Sequence, residues 1–568
     1  MSLTSRISTV LVAGLSLFLT SGCPSKGGGT SPPARPATAT ANLRFADVAA
    51  SAGVRFRHYI GADGRFFAPE SVGPGGAFID YDGDGWLDLY LVNGSNWPDR
   101  PEAHKSGALY RNQQDGTFRD VTREAGLVTS FYGMGCAVGD YDNDGHDDLL
   151  LTGMGKTKLF HNTGKGRFTD VTPGSGLDRA AAWEYYTSAA WFDYDRDGKL
   201  DLFVCRYIDW SPQKDVPCRS GLGKRIHCGP NQYGTVPSQL FRNLGQGRFQ
   251  DVTGPTGIAK AAGKALGVLP IDEDGDGWLD LFVSNDTTPN HLFRNEGGKR
   301  FREVAQELGV AVDENGRWRS GMGIDVADVH NNEGLAFTIG NFVKEGISLY
   351  DRAGNLYSDT AIRNGLIPAS LPCVTFGLTY LDADRDGWQD LFTYNGHVDQ
   401  HAEEAGGDNT YRQLPQLFQN HAGTFTEVGK QAGPAFLTPQ VGRGCAWGDF
   451  DNDGKPDLLL FENAGPTRLL KNETADQNHW LGIRLEGTRG NRNGYGAEVR
   501  ATIGGVTQRR WVRSGGSYLS HSDTRALFGL GSATVVDRLE VRWPSGATSV
   551  EERLTPDRYL TLKEPPGA

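Results

Sequence analysis

The stretch Asp80-Tyr81-Asp82-Gly83-Asp84-Gly85-Trp86-Leu87-Asp88 decides the fold. Carboxylates at positions 1, 3, 5 and 9 converge, the glycine at 6 permits a sharp turn, and position 7 can offer its carbonyl. Hard oxygen donors in that number and flexibility suit Ca²⁺ better than Mg²⁺, which keeps its waters. Like charges this close repel, so the loop needs a cation to hold its shape. The same D-x-D-x-D-G-x-x-D pattern restarts at Asp140, Asp193, Asp272, Asp382 and Asp449. The expected ligands are therefore Asp80, Asp82, Asp84 and Asp88; Asp140, Asp142, Asp144 and Asp148; and Asp193, Asp195, Asp197 and Asp201. The later loops supply Asp272, Asp274, Asp276 and Asp280; Asp382, Asp384, Asp386 and Asp390; and Asp449, Asp451, Asp453 and Asp457. One match would be weak. Six repeats predict about six Ca²⁺ sites whose work is to hold turns.

These loops are not EF-hands, which need a bidentate Glu at position 12 and a helix on each side. Position 12 is apolar here, as at Leu91 and Leu151. Runs such as Ala77-Phe78-Ile79 before a loop and Leu89-Tyr90-Leu91-Val92 after it read as strands. Each loop then closes a β-hairpin. Loop starts, counting a damaged copy at Asp328, are spaced 60, 53, 79, 56, 54 and 67 residues apart. A period near 55 residues with several strands per unit predicts a β-propeller.

A second signature recurs in the units: Leu109-Tyr110-Arg111-Asn112 followed by Phe118-Arg119-Asp120-Val121-Thr122, with copies from Leu159, Leu240, Leu292 and Leu417 and a worn one from Leu349. It reads as a hairpin with a Gly-containing turn, giving four strands per unit. After Leu469-Leu470-Lys471-Asn472 the last strand is missing, but Phe45-Ala46-Asp47-Val48 supplies it from the other end. The expectation is an all-β, seven-bladed propeller over residues 43–476, closed by its N-terminal strand. The copy at Asp328 has Ala336 or Phe337 where the last carboxylate belongs, so no tightly held metal is expected there. Residues 477–568, with period-2 runs such as Leu539-Glu540-Val541-Arg542-Trp543, predict a separate small sandwich-like domain.

At 568 residues the chain can bury a large core. Its net charge of −12 argues against nucleic acid or an anionic membrane surface as partner. Six Ca²⁺ would add about +12, so the acidity is mostly metal ligand. Residues 1–22 read as a secretion signal, with Arg6 ahead of the apolar stretch Val10 to Leu19. Leu19-Thr20-Ser21-Gly22-Cys23 resembles a lipobox, which predicts lipid on Cys23, with plain signal-peptidase cleavage as the alternative. Residues 24–42 then form a flexible tether, and the expected location is the bacterial cell envelope, at the outer membrane or surface. Cys218 and Cys228, ten apart in a Gly/Pro-rich insertion, predict a disulfide. Cys136 and Cys445, each four residues before a loop, suit small buried strand positions, and Cys205 and Cys373 are unassigned.

The loops resemble FG-GAP/VCBS-type (integrin-α-like) propeller repeats. Asn493-Gly494-Tyr495-Gly496-Ala497, Gly515-Gly516-Ser517-Tyr518, Phe528-Gly529-Leu530-Gly531 and Val541-Arg542-Trp543-Pro544-Ser545-Gly546 resemble the ASPIC/UnbV pattern in order. The combination is similar to the cartilage-acidic-protein-like family and its bacterial relatives. That resemblance implies Ca²⁺ sites and an extracytoplasmic setting, and no established reaction.

Strand parity puts all three long insertions, Asn93 to Ala108, Arg206 to Gln239 and Gly396 to Leu414, on the face opposite the metal loops. Function on rigid scaffolds usually sits on such loops. That face gathers Trp97, His104, Trp210, His227, Tyr233, His397 and His401 with Glu70, Glu184, Glu403 and Glu404. Exposed aromatics beside carboxylates suit glycan, peptide or protein recognition; the plainer reading is that they pack their own loops. His397 and His58 could line the funnel, with Glu70, as general-base or metal-binding candidates. No G-x-S-x-G, P-loop, H-E-x-x-H or dinucleotide fingerprint is present. The leading reading is a Ca²⁺-binding, lipid-tethered binding or adhesion module. The alternatives are an enzyme using the funnel, polysaccharide-active or oxidative, and a scaffold docking a partner through its C-terminal domain.

Overall fold

Alternation of short β runs with Asp-Gly turns leaves the chain no room for long helices, and the computed structural model is correspondingly built of strands. It describes residues 43–97, 105–178, 183–405 and 409–566. Expectations for the signal segment, Cys23, the tether and His104 lie outside them. Seven antiparallel four-stranded sheets follow one another along the chain. Their innermost strands are Gly76–Ile79, Gly133–Gly139, Tyr186–Phe192, Ala265–Ile271, Ile324–Ala327, Thr375–Leu381 and Gly442–Gly448. Each touches the next, and the last touches the first, so the sheets close as a β-propeller. Phe45–Asp47 completes the seventh sheet, pairing with Arg468–Asn472 in the register Phe45 to Asn472. Ring closure by the two ends leaves no open edge between the first and last sheets.

One residue type joins neighbouring blades, and sequence reasoning saw it only as part of a hairpin. In six of the seven blades an asparagine at or beside the end of the third strand is buried and donates from Nδ2 twice. Asn243 bonds the Leu200 carbonyl of its own loop at 2.9 Å and the Tyr141 carbonyl of the preceding blade at 2.8 Å. Asn162 reaches Tyr81, Asn295 reaches Tyr194, Asn420 reaches Val329 and Asn472 reaches Ala383 in the same way. Asn112 reaches Phe450 and so ties blade one to blade seven. In the fifth blade Arg352 takes the place of asparagine and donates to the Glu273 carbonyl at 2.8 Å. Every junction in the ring carries this bond.

The C-terminal region forms a three-stranded sheet (Ala526–Gly531, His479–Glu486, Arg558–Lys563) and a four-stranded sheet (Val506–Val512, Ala497–Ile503, Val536–Arg542, Thr548–Leu554). Their inner residues, among them Val499, Phe528 and Trp543, share a core with Leu150, Trp191 and Leu202 of blades two and three. The C-terminal sheets pack so closely on the propeller that the described residues belong to one compact unit. The reason lies in the segment Gly515 to Asp523, which fills the channel of the propeller. Gly516 N donates to Val268 O, Leu519 N to Ser188 Oγ, and His521 N to Gly76 O. Ile324 N donates to Ser517 O and Cys136 N to Leu519 O. Ser517 Oγ donates to Cys445 O at 2.7 Å, and the Tyr518 ring packs on Phe376 with centroids 5.1 Å apart. All seven inner strands therefore touch it. Gly75 makes room for the approach, since a Cβ there would lie 1.9 Å from the Leu519 carbonyl.

Removing one junction donor leaves two buried carbonyls without partners. Asn243→Ala should cost about 2–4 kcal/mol at one or two kcal/mol per unsatisfied group, read as a lowered urea midpoint with circular dichroism at 25 °C otherwise unchanged.

Candidate functional site

The aspartates of each loop divide their labour by position. The first accepts the amide of the sixth residue, as Gly85 N to Asp80 Oδ2 at 3.1 Å and Gly145 N to Asp140 Oδ2 at 2.8 Å. The fifth accepts the amide two residues on, as Trp86 N to Asp84 Oδ1 at 3.0 Å. The ninth is buried and accepts two amides: Asp88 takes Tyr81 N at 3.2 Å and Asn112 N at 2.7 Å, and Asp201 takes Tyr194 N and Asn243 N. The ninth carboxylate thus ties the loop to the third strand as well as facing its neighbours.

What remains is an excess of buried negative charge. Burial, and then neighbouring carboxylates, push Asp140 up to about 8 and Asp193 to about 7. Carboxylate oxygens of Asp80, Asp82 and Asp88 lie within 4.8 Å of one another, as do those of Asp140, Asp142 and Asp144 and of two further loops. Oδ1 of Asp80, Asp82, Asp382, Asp384 and Asp451 is buried with no hydrogen-bond partner. Carboxylate oxygens lacking donors, in an all-oxygen set, fit a hard divalent cation. The structure also shows a basic residue that the motif did not reveal. On the third strand, one place before the junction asparagine, Arg111 Nε lies 2.7 Å from Asp82, Arg242 Nη2 2.7 Å from Asp195 and Arg294 Nε 3.1 Å from Asp274. Lys471 pairs with Asp451, and His161 with Asp142 and Asp148. In the sixth blade the residue is Gln419, an amide donating to Asp384 Oδ2 at 2.8 Å, and Asp382, Asp384 and Asp390 there are all buried.

The damaged fifth loop is handled differently. Asp328 accepts the amides of Asn332 and Glu333, and Arg500 and Arg509 of the C-terminal region bond Glu333. Guanidinium groups supply the positive charge at this blade. Elsewhere the same region touches the loop face through polar side chains: Tyr559 Oη donates to Asp449 Oδ2 at 2.6 Å and Asn493 Nδ2 to Asp147 Oδ1 at 2.7 Å.

The opposite face carries the insertions. Cys218 and Cys228 are disulfide-bonded within the second of them. Trp97 and Trp210 are not exposed, each being 2% accessible. They pack with Phe67, Tyr132 and Trp183. Their indole N–H groups are spent on Glu70 Oε1 at 3.1 Å and Asp215 Oδ1 at 2.9 Å. The same Asp215 oxygen accepts the buried Tyr233 hydroxyl. Long loops must bury apolar surface of their own, and these rings do it. Glu184 pairs with Arg206, His401 with Glu404, and Glu403 accepts Tyr411 N.

The three general-base candidates are not assembled into one site. Glu70 faces Trp97 and, at 3.4 Å, His227 Nε2. His58 Nδ1 accepts Ala464 N, and His397 Nδ1 accepts Asp399 N at 2.9 Å. Burial, with Arg443 adding to it, lowers His58 to about 3, and burial lowers His397 to about 4. Arg443 itself is fully buried between them, bonded to the carbonyls of Ser71, Gly396, Gly442 and His397 and stacked on Phe376 at 4.2 Å. The funnel that these histidines were expected to line ends on Tyr518, whose hydroxyl donates to Val72 O at 2.9 Å. Beside it lies a cavity of about 390 Å³ bounded by Tyr207, His227, Asp286, Trp318, Glu345 and Phe376 among others. Of these only His227 was singled out from sequence. The others come from separate blades and carry no repeat signature, so only closure of the ring shows that they meet.

Comparison with known proteins agrees with this architecture. A family profile described as FG-GAP-like repeat matches residues 80–151, 140–204, 272–334 and 382–460. One described as ASPIC and UnbV matches residues 487–568. The chain belongs to the family of β-propeller proteins that join FG-GAP-like repeats to a C-terminal ASPIC and UnbV domain. Cartilage acidic protein 1 of Xenopus tropicalis is 23% identical over 509 residues, covering 84% of this chain and 71% of that protein. The Homo sapiens protein of the same name is 26% identical over 385 residues, covering 62% of this chain and 55% of its own length. The chain thus spans about half the length of the human relative. Among solved structures, an Agrocybe aegerita lectin with specific recognition of non-reducing terminal N-acetylglucosamine is similar at a TM-score of 0.40 and 15% identity, over 65% of this chain and 88% of that one.

Because His397 is held neutral, its folded value lies below its unfolded value of 6.5. Its contribution to stability is complete above pH 6.5 and is lost as pH falls toward 4. Wild type should therefore lose up to about 1.4 kcal/mol per pH unit more than His397→Asn across that window, measured by urea denaturation at fixed calcium.

Proposed function

We propose that this protein is a Ca²⁺-stabilised interaction module of the bacterial cell envelope, tethered by lipid at Cys23, which captures a ligand on the face opposite its acidic loops. The observation that carries this reading is the division of the two faces. One presents carboxylates with unpartnered oxygens, covered in part by the C-terminal region. The other presents a cavity framed in part by the second and third insertions. When bound, Ca²⁺ supplies the counter-charge that lets the loops keep their turns, held by the first, third and fifth aspartates with help from the ninth. The propeller then serves as a rigid frame for the opposite rim. The partner fits a glycan, peptide or protein better than nucleic acid, given the net charge of −12. No helix among the described residues is long and apolar enough to cross a membrane.

A funnel enzyme is the weaker reading. The channel is filled by the chain itself, and His58 and His397 titrate too low to take a proton near neutrality. Docking through the C-terminal region is also less favoured, because much of its surface already serves the propeller.

Chelation tests the metal half. Each ion bound only by the folded loops contributes about 2.7 kcal/mol at a hundredfold excess over its Kd. Excess EDTA should therefore lower the melting temperature by many degrees, and elemental analysis of dialysed protein should find about six calcium ions per chain. Calcium should leave the sixth blade last, since Gln419 offers its aspartates no competing charge. Unchanged melting in EDTA, with calcium absent, would refute the reading.

A further inference from the structure

The far-face cavity has an electrostatic character that its position alone does not explain. Two carboxylates, Asp286 and Glu345, line it, and no lysine or arginine is among its lining residues. Asp286 is 8% accessible and accepts the Tyr207 hydroxyl at 2.6 Å. Glu345 Oε2 accepts the amides of Ser320 at 2.8 Å and Phe342 at 3.3 Å. Two cations stand close without lining it: Lys264, whose ammonium bonds Thr287 Oγ1 at 3.2 Å, and Arg443, whose guanidinium stacks on Phe376 and is already taken up by four backbone carbonyls. His227, also in the lining, has its Nε2 3.4 Å from Oε2 of buried Glu70. Burial, and then the neighbouring Glu345, raise the Asp286 carboxyl to about 6, although Tyr207 and Lys264 oppose them. The walls are aromatic: Phe376 and Tyr207 are buried, Phe342 stands beside Glu345, and Trp318 lies at the rim with 58% of its surface exposed. A cation with an apolar body meets both demands, because carboxylates and aromatic faces each attract it. An anion meets neither.

We propose that this cavity binds a small organic cation, an alkylammonium whose charged head sits between Asp286 and Glu345 while its stem lies against Trp318 and Phe342. A volume of about 390 Å³ accommodates a small molecule with most of its surface covered. The inference rests on the reading of this face as the ligand side, and adds the chemistry of what is taken there.

The test is calorimetric titration of the calcium-loaded full-length chain with hexylamine as the ammonium, hexanol and hexanoate as matched controls. Hexylamine should bind at least about tenfold more tightly than either control. Asp286→Asn and Glu345→Gln should each weaken it by roughly tenfold, and Trp318→Ala by several-fold, with melting temperatures and calcium content checked for each variant. Nα-acetyl-lysine amide, run beside hexylamine, separates a lysine side chain from a free amine as the natural head group; tighter binding of either fits the proposal. Trp318→Ala, at an exposed position, keeps the test alive should a carboxylate variant fail to fold. Hexylamine binding that survives both carboxylate changes, or that is absent altogether, overturns the proposal. Hexanol binding as tightly as hexylamine, with both lost in Trp318→Ala, also overturns it, yet leaves the far-face reading standing.

Discussion

Carboxylates drawn out of water must be met by donors or positive charge, and this chain repeats that problem around an entire ring. In each of six loops, backbone amides answer part of the demand, and a third-strand side chain, basic in five of them and Gln419 in the other, answers another part. The remainder, visible as buried oxygens without partners, is what a divalent cation would satisfy. Blade geometry depends on this balance because the ninth aspartate and the junction asparagine share the same corner. A loop that opened would release its own hairpin and the bond to the preceding blade together.

The fifth blade shows how the balance survives loss of the motif. Its loop keeps Asp328 and the two amides that bond it, but guanidinium groups from the C-terminal region lie alongside. Its junction asparagine is replaced by Arg352, which finds the same carbonyl of the neighbouring blade. The positions change their residue and keep their donor. Physical demand at the junction, rather than the motif as spelled, is what the repeat preserves.

Filling of the channel sets what the other face can do. Tyr518 of the filling segment bonds the Val72 carbonyl and packs on Phe376, two residues that line the far-face cavity. The segment that fills the channel makes main-chain bonds to most of the inner strands, which makes the C-terminal region part of the propeller's core. Buried Arg443 extends that core outward, joining the connections of the first, sixth and seventh blades through four carbonyls.

Much of the fold was legible in the residues alone. Asp-Gly loops at a regular period, strand runs on either side, and Phe45-Ala46-Asp47-Val48 standing where the last blade lacks a strand all report local geometry, and local geometry is what short-range patterns encode. The aspartate clusters were legible for the same reason, since their carboxylates lie within nine residues. Tertiary structure alone decided the rest. Trp97 and Trp210 turned inward because long loops bury their own apolar surface. Asp286, Glu345 and Trp318 meet only because the ring closes, and Gly515 to Asp523 enters the channel only because glycines of distant blades leave room. Contacts between residues hundreds of positions apart leave no period to read; they exist only once packing has chosen among the ways the strands could assemble.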